Sequence, residues 1–584
     1  MTAAQRWALD ATAEQIRSAM LDPASFASGG WRIPGTAGAR IQANARASVA
    51  MQQRIDGGWE FAPHNLLFQS EAFDNAAWAY TITTAVTANA AAAPDGTQSA
   101  DTAAINATTQ IVRQARFGGV INGATYTLSV WAKASASGGA ANVRLTVNNT
   151  VSWTGAASQK VALTSQWQRI TLPWTANAVD AYFIVGAQDA TGAADSTCYG
   201  NVDLWGAQLN LGPAPTAYVP TTTAAVYAPA IDWLSGVGRY GVRSEQARTN
   251  AIRNSAMVGA GSGTPGTLPI NGWGTFGSLT QTITAGVTLF GFPAFDIRFQ
   301  GTFTGQQGLQ FDIQRAAATS GQTWTGSVFV ALVAGAMTNV SSSLVTSEHD
   351  SGGAFLDGNS TSFTATGAGA RVVGSRTLNN ASTASTQAYF AFNCTGVVDF
   401  TVRVACPQLE QGAGASSPIL TYGAAATRAT DTVDVTLPLG LSGLSVYSMI
   451  VDYFRGAPVP AGAFLGIARI TAAGNTNLLI GGYVPPAQTH RANFLLRNGG
   501  AIFDTAAGGS DVSTASRLAM RFQSTLFAAS FNGAAVSTSA SVSFPAGLDT
   551  LRLGMLDGNL NGHITRTRLA GTPINDSLLQ ALTA

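Results

Sequence analysis

The sequence is poor in charge and nearly free of lysine. Charged residues make up 10% of its 584 residues, and Lys133 and Lys160 are the only lysines. The formal net charge is +1 at pH 7. A chain so close to neutrality has no net field that would attract nucleic acid or an anionic membrane surface. We therefore expect no nucleic-acid partner.

Cysteines and long apolar runs are also scarce. Cys198, Cys394 and Cys406 are too few and too irregularly spaced for a disulfide framework or a zinc cluster. Cys394 and Cys406 fall in one predicted domain and could pair, although buried thiols are the favoured interpretation. No apolar run approaches the ~20 residues of a membrane helix, so membrane insertion is not expected.

Sequence signatures of catalysis are missing as well. Glycoside hydrolysis uses two carboxylates about 5–9.5 Å apart, and the sparse acidic residues show no such pair. A Gly-x-Ser-x-Gly elbow is absent as a strand–turn–helix unit, and the histidines define no triad: His64, His349, His490 and His563. No Gly-rich phosphate loop is followed by a lysine. We predict no catalytic residues and no enzymatic activity.

Small and apolar residues are abundant instead. Hydrophobic residues reach 46%, and 64 residues are glycine. Low charge with many small and β-forming residues favours short strands joined by tight turns. At about 150 residues per domain, the length predicts three or four domains. The fold class is predicted to be all-β, with tandem jelly-roll β-sandwiches.

One sequence pattern occurs twice. Residues 204–222 contain Trp-Gly-Ala-Gln-Leu-Asn-Leu-Gly-Pro, and residues 404–423 contain Ala-Cys-Pro-Gln-Leu-Glu-Gln-Gly-Ala in the corresponding place. Upstream, residues 126–133 align with residues 324–331. The offset from Trp131 to Phe329 is 329 − 131 = 198, and from Gln208 to Gln408 it is 408 − 208 = 200. Such constant spacing predicts a duplicated domain.

The chain before the first repeat begins with a helical pattern. Over residues 4–22 the apolar positions recur with helical spacing, at Leu9, Ala13, Ile16 and Met20. Two interpretations remain open for this helix: it attaches or trimerises the protein, or it packs on its own chain. Residues 23–64, rich in Gly, Ala and Pro, are predicted to be an extended connector.

The remaining boundaries follow from the repeat and from the composition. They place a first sandwich at 65–222, a linker at 223–250, a second sandwich at 251–430 and a third β domain at 431–584. In the third domain, Asn532-Gly533 predicts a hairpin turn. Residues 563–569 predict a strand, and a short C-terminal helix follows it.

These motifs carry a resemblance to a known protein family. The start Asn65-Leu-Leu-Phe-Gln-Ser-Glu-Ala-Phe, the strand Tyr126-Thr-Leu-Ser-Val-Trp and the close Trp205-Gly-Ala-Gln-Leu resemble carbohydrate-binding-module-like jelly-roll domains of phage tail and head fibres. The Phe-Asn-Gly turn and terminal strand–helix are similar to concanavalin A/laminin-G-type lectin domains. The resemblance implies a virion fibre protein that binds host-surface polysaccharide without cleaving it. It further implies a homotrimer and contacts to other virion proteins through residues 1–64.

The expected location is the virion. The first residues, Met1-Thr-Ala-Ala-Gln-Arg6, lack a basic stretch followed by an apolar core and so do not predict a secretory signal. An adhesion-like protein without such a signal could still reach other cells as part of a virion that is released by lysis. Two other functions remain open: a glycan-cleaving tailspike depolymerase, and a purely structural decoration or spacer protein.

Candidate sugar-binding residues combine flat rings with polar groups. An aromatic ring stacks on the C–H face of a sugar, and amide or charged groups bind its hydroxyls. The first sandwich offers the rings of Trp78, Trp131, Trp153, Trp167 and Trp174 and the polar groups of Asp101, Asn148 and Asn149. Trp153 is expected at a loop tip, and a place in the core is the alternative for each tryptophan. The third domain offers Asp452, Tyr453, Arg455, His490 and Arg491.

A weaker candidate is a cation site. Asp557, Asn559 and Asn561 alternate as oxygen donors, in the manner that Ca²⁺ accepts. The segment lacks the later Glu of an EF-hand loop, and an Asp-Gly turn is the favoured interpretation. No metal or other cofactor is predicted.

Overall fold

A computed structural model gives the fold of most of the chain. The residues it describes are 8–27, 30–34, 39–80, 85–107, 110–116, 119–148, 156–437, 440–441, 444–455, 465–472, 475–484, 492–498, 501–507, 516–523, 526–540, 544–555 and 559–584. Strands dominate this part of the chain, with two α-helices at Ala13–Leu21 and Asp576–Thr583 and short 3₁₀ turns at Pro23–Ser25 and Ser196–Cys198. The all-β prediction is confirmed.

The chain divides into two compact units. The first contains residues 1–49, 61–246 and 430–584, and the second contains residues 50–60 and 247–429. Neither helix in the described part of the chain is long and apolar enough to cross a membrane.

The first sandwich, which lies in the first unit, has two antiparallel five-stranded sheets. In spatial order, one sheet contains Gln168–Thr175, Thr125–Ala134, Gly200–Leu211, Ala100–Ile105 and Ala85–Ala91. The other contains Ala157–Ala162, Asn142–Asn148, Ala181–Gly186, Ile111–Arg116 and Ala79–Tyr80. A short ribbon pairs His64–Asn65 with Val226–Tyr227. Because side chains alternate along a strand, Trp131 points to the outer face of the first sheet, away from the Tyr126–Trp174–Phe183 ring contacts between the sheets.

The strand Thr125–Ala134 is more buried than its sequence suggests. Alternation predicts one apolar face and one polar face, yet Thr127 and Ser129 on the outer face have no exposed surface. The exit segment after Leu211 covers them: the Thr127 hydroxyl donates to the Gly212 carbonyl at 2.8 Å. The outer face is therefore covered at one end and partly open at the Trp131 end.

The C-terminal body of the first unit is a second two-sheet structure. One sheet has the order Ile231–Leu234, Arg239–Ser244, Gly562–Ala570, Val446–Arg455, Ser516–Gln523, Leu526–Phe531 and Ser537–Ala540, with Leu9–Thr12 also paired to Gly562–Ala570. The other has the order Phe26–Ala27, Gly30–Arg32, Arg40–Gln42, Val433–Thr436, Thr550–Leu553, Leu465–Ala472, Asn475–Val484, Ala492–Asn498 and Ala501–Ala507. Asn532 and Gly533 have φ of 46° and 77°, which suits the predicted Asn-Gly turn.

Two segments predicted to lie outside the domains belong to these sheets. Residues 23–64 contain strands in place of an extended connector, and Arg40–Gln42 pairs with Val433–Thr436. The predicted linker 223–250 contains Arg239–Ser244, which pairs with Gly562–Ala570. The strand partners are distant in sequence, so no local pattern identified them.

The N-terminal helix is shorter than predicted and packs on its own chain. It begins after Thr12, whose side chain accepts from the Gln15 amide while Gln15 reaches back in a capping box, an arrangement that stabilises a helix start. Leu9 lies in a strand instead. The helix residues Ala13, Ile16, Ala19 and Met20 are buried in the core of the C-terminal body. Its apolar face is thus already covered.

The second unit is built on two very long strands. Phe292–Gln310 and Ser385–Gln411 pair along 17 positions. The sheet also includes Gly274–Phe276, Thr280–Leu289, Ala316–Ala317, Thr323–Ala336, Val340–His349, Phe355–Phe363 and Ala370–Thr377. Separate ribbons pair Arg248–Asn250 with Ala426–Arg428 and Met51–Gln53 with Trp59–Phe61. Cys394 and Cys406 are buried free thiols, as is Cys198 of the first unit, in agreement with the favoured interpretation.

A buried charge network joins strands of the C-terminal body. Asp232 accepts from Arg243 Nε at 2.7 Å and from His563 Nε2 at 2.6 Å. Burial alone would raise the pKa of Asp232, but the Arg243 charge and the His563 hydrogen bond outweigh it and hold that pKa well below its usual range. The Asp232 carboxylate thus compensates the charge of the Arg243 guanidinium, which is itself buried.

We predict that Asp232→Asn destabilises the first unit by about 3–5 kcal/mol, because it leaves Arg243 as a buried, uncompensated charge. Urea unfolding followed by circular dichroism measures this change. The control is Asp399→Asn, since the Arg298–Asp399 pair is exposed and its loss is expected to change the stability little. Equal effects of the two substitutions would contradict the prediction.

Candidate functional site

The candidate site is the partly open end of the outer face of the first sandwich, here called the aromatic face. It consists of Trp131, Lys133, Trp167, Asp203, Trp205 and Tyr218. Strand register brings them together: Trp131 is opposite Trp205, and Lys133 is opposite Asp203. Trp167 lies just before the strand that pairs Arg169 with Trp131.

Three rings form the base of the aromatic face. The Trp131 ring lies 5.3 Å from Trp205 and 5.2 Å from Tyr218, both edge to face. Trp205 and Tyr218 are buried, whereas Trp131 is half-buried. The Arg169 guanidinium lies 4.5 Å from the centre of the Trp131 ring. Trp131 is therefore sandwiched by its neighbours and exposes only part of its ring.

Trp167 is the second partly exposed ring. Its Nε1 donates to the Ala92 carbonyl at 3.0 Å, which fixes the indole. Lys133 Nζ lies 5.0 Å from the centre of its ring and 3.5 Å from Asp203. Asp203 is buried and also accepts from the Thr102 hydroxyl at 2.7 Å. The aromatic face thus combines a fixed ring, an ammonium and a carboxylate.

A glycine bulge makes room for the rings. Gly206 has φ of 64°, and a Cβ there would lie 2.9 Å from the Trp131 ring. Left-handed φ favours glycine, and the bulge interrupts the register between Ser129 and Trp131. Any side chain at Gly206 would push Trp131 or Tyr218 out of place.

Glu71 joins the site through Tyr218. The Tyr218 hydroxyl donates to Glu71 at 3.0 Å and also contacts Ser70 Oγ at 2.9 Å. Burial raises the pKa of Glu71 to about 7, although the Tyr218 hydrogen bond favours its ionised form, and nearby Asp95 raises it further. Burial, with the Glu71 charge, also raises the pKa of Tyr218 well above its usual value. Sequence reasoning missed Glu71, since no short-range pattern marks a carboxylate as buried.

The second sandwich repeats the framework of this region. Asn65 donates to two carbonyls and accepts from Leu67 and Leu209, and Asn250 does the same with Ile252 and Leu409. The equivalent pairs with matching bonds include Ser70/Ser255, Thr127/Thr325, Ser129/Ser327, Arg169/Arg371 and Gln208/Gln408. The predicted duplication is therefore visible in the side-chain contacts.

The aromatic face itself is not repeated. In the register of the second sandwich, Phe329 replaces Trp131, and the other members become small or differently charged: Ala331 for Lys133, Gly369 for Trp167, Arg403 for Asp203, Ala405 for Trp205, Pro418 for Tyr218 and Ala256 for Glu71. Residues common to both copies hold the fold. Those found only in the first copy are the candidates for ligand contact.

The other predicted site residues of the first sandwich do not join Trp131. Asn148 is buried in the opposite sheet, opposite Tyr182. Its lack of exposure is the reason it cannot contribute to a surface site with Trp131. Asn149 and Trp153 lie outside the described residues.

The predicted site in the third domain is only partly assembled. Asp452 and Tyr453 line a cleft of about 450 Å³, together with Arg239 and Arg517. Asp452 is bound by Arg517 through both carboxylate oxygens, and Tyr453 is a core residue stacked on Phe531. Tyr453 is therefore not a rim residue. Arg455 does not line this cleft, and His490 and Arg491 lie outside the described residues.

The candidate calcium ligands have structural roles where they are described. The Asn559 amide donates to Ser244 Oγ and to the Asp431 carbonyl. The Asn561 side chain accepts from the Gln246 amide at 3.3 Å, and its φ is 53°. Asp557 lies outside the described residues, and within the described chain no cluster of His, Cys, Asp or Glu could hold a metal.

Comparison with known proteins finds a family match that includes Trp131, Lys133 and Trp167 of the aromatic face. Residues 65–192 match the family described as a carbohydrate binding domain. A search of curated proteins finds no match. The carbohydrate-binding part of the predicted resemblance is thereby supported, while the phage-fibre part stays a prediction.

Solved structures give distant similarities. The CBM40 domain of a Ruminococcus gnavus sialidase bound to α2,3-sialyllactose is 15% identical, with 24% of this chain and 84% of that chain covered and a TM-score of 0.21. The tandem CBM22 domains of Paenibacillus barcinonensis Xyn10C are 10% identical, covering 60% and 99%, with a TM-score of 0.21. Domains LG4-5 of mouse laminin α1 are 9% identical, covering 48% and 90%, with a TM-score of 0.18.

We predict that Glu71 makes the stability of the first sandwich depend on pH. Because its folded pKa is raised, the folded state holds the proton more tightly, so stability falls as pH rises from about 4.5 through 7. The loss amounts to roughly 3 kcal/mol at 1.36 kcal/mol per pKa unit. Melting temperatures from pH 4.5 to 8 should show that Glu71→Gln removes this decline. An unchanged pH profile in the variant would refute the assignment.

Proposed function

We propose that this protein binds glycans through the aromatic face of the first sandwich. The observation that carries the proposal is the difference between the two copies. Both retain the buried bonds that close the sandwich, yet only the first has the rings and charges of the aromatic face. The match of residues 65–192 to a carbohydrate binding domain supports it.

The chemistry of the aromatic face suits a sugar ring. The exposed parts of the Trp131 and Trp167 rings offer apolar surface for a pyranose, and the Lys133 ammonium offers a donor for its hydroxyls. A ring stack contributes on the order of 0.5–1.5 kcal/mol. One such site is weak, so useful adhesion needs several copies, and linked sites raise avidity by about 10²–10⁴.

We further propose that the protein is a virion fibre protein. It would form a trimer on the particle and adsorb to host-surface polysaccharide without cleaving it. The resemblance of its sequence motifs to phage tail and head-fibre domains supports a fibre. Binding without cleavage is supported by the carboxylates of the site, since Asp203 is engaged by Thr102 and Lys133, and Glu71 by Tyr218. Attachment to other virion proteins through residues 1–64 has to use groups other than the covered apolar face of the helix.

We predict that Trp167→Ala and Lys133→Ala each weaken binding to host polysaccharide, Trp167→Ala by up to about tenfold, because each removes a contact that the ligand uses. Calorimetric titration with polysaccharide fragments that bind on a glycan array measures the change. Arg113→Ala is the matched control, since Arg113 lies 4.9 Å from the Tyr182 ring in the opposite sheet. Equal losses in all three variants would argue against the aromatic face.

We predict no release of reducing ends when the purified protein is incubated with host polysaccharide. Such release would overturn the non-cleaving part of the proposal and favour a tailspike depolymerase.

A further pair of measurements distinguishes a glycan-binding protein from a purely structural one. Absence of binding on a glycan array, together with unchanged adsorption of particles whose protein is truncated after Asp431, would favour a spacer protein.

A further inference from the structure

The outer face of the second sandwich is covered by a hairpin of the same unit. The hairpin comprises residues 50–60 and places Trp59 against that face. The Trp59 ring lies 6.2 Å from Phe292 and 6.4 Å from Phe329. Phe329 stands where the first sandwich has Trp131, so Trp59 occupies the position corresponding to the aromatic face.

Three phenylalanine rings and one arginine form the floor beneath Trp59. Phe329 lies 5.0 Å from Phe292 and 5.6 Å from Phe290, and Arg371 lies 5.5 Å from the Phe329 ring. We call these four residues the phenylalanine socket. Ring centroids 4.5–7 Å apart are the favourable range for aromatic pairs, so Trp59 completes a cluster of packed rings.

The space for this cluster comes from the small residues that replace the aromatic face. Gly369 stands where the first sandwich has Trp167, and a Cβ there would already lie 3.2 Å from the Phe290 ring. Ala405 stands where the first sandwich has Trp205, opposite Phe329. A large side chain at position 369 would exclude Phe290. The substitutions thus form one consistent change from an open face to a filled one.

The turn between two strands of the second sandwich is shaped to receive the hairpin backbone. Phe290 and Gly291 both have left-handed φ, 52° and 87°, and a bulky residue rarely adopts this conformation. In this conformation the Phe290 carbonyl accepts from the Trp59 amide at 2.7 Å. A Cβ on Gly291 would lie 2.3 Å from the Trp59 carbonyl oxygen. The close approach of the two backbones therefore requires glycine.

The hairpin is also ordered by its own contacts. Arg54 pairs with Asp56 at 2.6 Å, Asp56 accepts from the Gly58 amide at 2.9 Å, and Gln52 donates to Glu60 at 2.9 Å. At its tip Ile55 is 63% exposed. The hairpin thus presents Trp59 from a preformed ribbon, which lowers the entropic cost of docking.

We propose that the phenylalanine socket is a binding site for an aromatic ring, and that Trp59 is its built-in occupant. The occupied socket leaves the Phe329 and Phe292 rings of the second sandwich with almost no exposed surface for a sugar. The assignment of the socket as a site for an aromatic ring holds whether or not the first sandwich binds glycan. Only the statement about sugar binding rests on the function proposed above.

The docking is tested by trypsin cleavage after Arg54 in the full chain. Gly291→Ala keeps every ring but forces the Trp59 carbonyl away, so we expect cleavage to be about tenfold faster or more. Gly286→Ala is the matched control, because Gly286 also has left-handed φ (76°) but a Cβ there would meet no atom within 4 Å. Equal cleavage rates for the two variants would overturn the docking.

The ring site is tested by chemical rescue. Trp59→Ala should lower the melting temperature of the second unit, and indole should raise it again while leaving the wild type unchanged. Trp59→Phe should keep most of the stability, since a smaller ring still fills the socket. A Trp59→Ala variant that melts like the wild type, or that gains nothing from indole, would overturn the proposal. Glycan binding that is lost in Phe329→Ala but kept in Trp167→Ala would overturn only the assignment of the open face to the first sandwich.

Discussion

The buried amide that closes each sandwich is the interaction on which the rest depends. Asn65 and Asn250 each satisfy two carbonyls and two amides, and so join the entry strand to the exit strand. Gln208 and Gln408 then hold the exit segment by accepting from Val219 and Ile419. A buried polar group left unpaired costs about 1–3 kcal/mol. These amides therefore specify one path for a chain whose low charge supplies few ion pairs.

Because buried hydrogen bonds hold the framework of both sandwiches, the residues of the outer face can differ without a change of fold. The two sandwiches share Arg169 and Arg371, each donating to a serine hydroxyl and to a carbonyl of the exit segment. Both also carry a bulge residue with left-handed φ, Gly206 in the first and Cys406 in the second. Around this common core, one face exposes parts of its rings and the other is filled. Duplication followed by divergence of the face explains both without a change of fold.

How much of this could be predicted from the sequence depends on the range of each interaction. The strand Thr125–Ala134 and the Asn532-Gly533 turn follow from local alternation and turn chemistry, and the duplication follows from constant spacing. The pairing of Leu9–Thr12 with Gly562–Ala570 joins the two ends of the chain, and no local pattern encodes it. Trp131 and Trp167 are both candidates from the sequence, but only strand register brings them together and adds Lys133. Asp452 and Tyr453 both line the cleft, but the packing of Tyr453 against Phe531 could not be predicted, because strand position alone does not reveal which face is buried.

Lys133 is one of only two lysines in a chain with few charged residues, and its surroundings differ from those of the other lysine. Lys160, the other lysine, pairs with Asp195 at the strand edge of the opposite sheet, whereas Lys133 lies over an indole ring with a buried carboxylate beside it. A cation over an aromatic ring contributes about 0.5–1 kcal/mol at an exposed site. With a net charge of +1, long-range steering cannot select a partner. Under the proposed function, recognition would come from short-range contacts at the aromatic face, as expected for a neutral, hydroxyl-rich ligand.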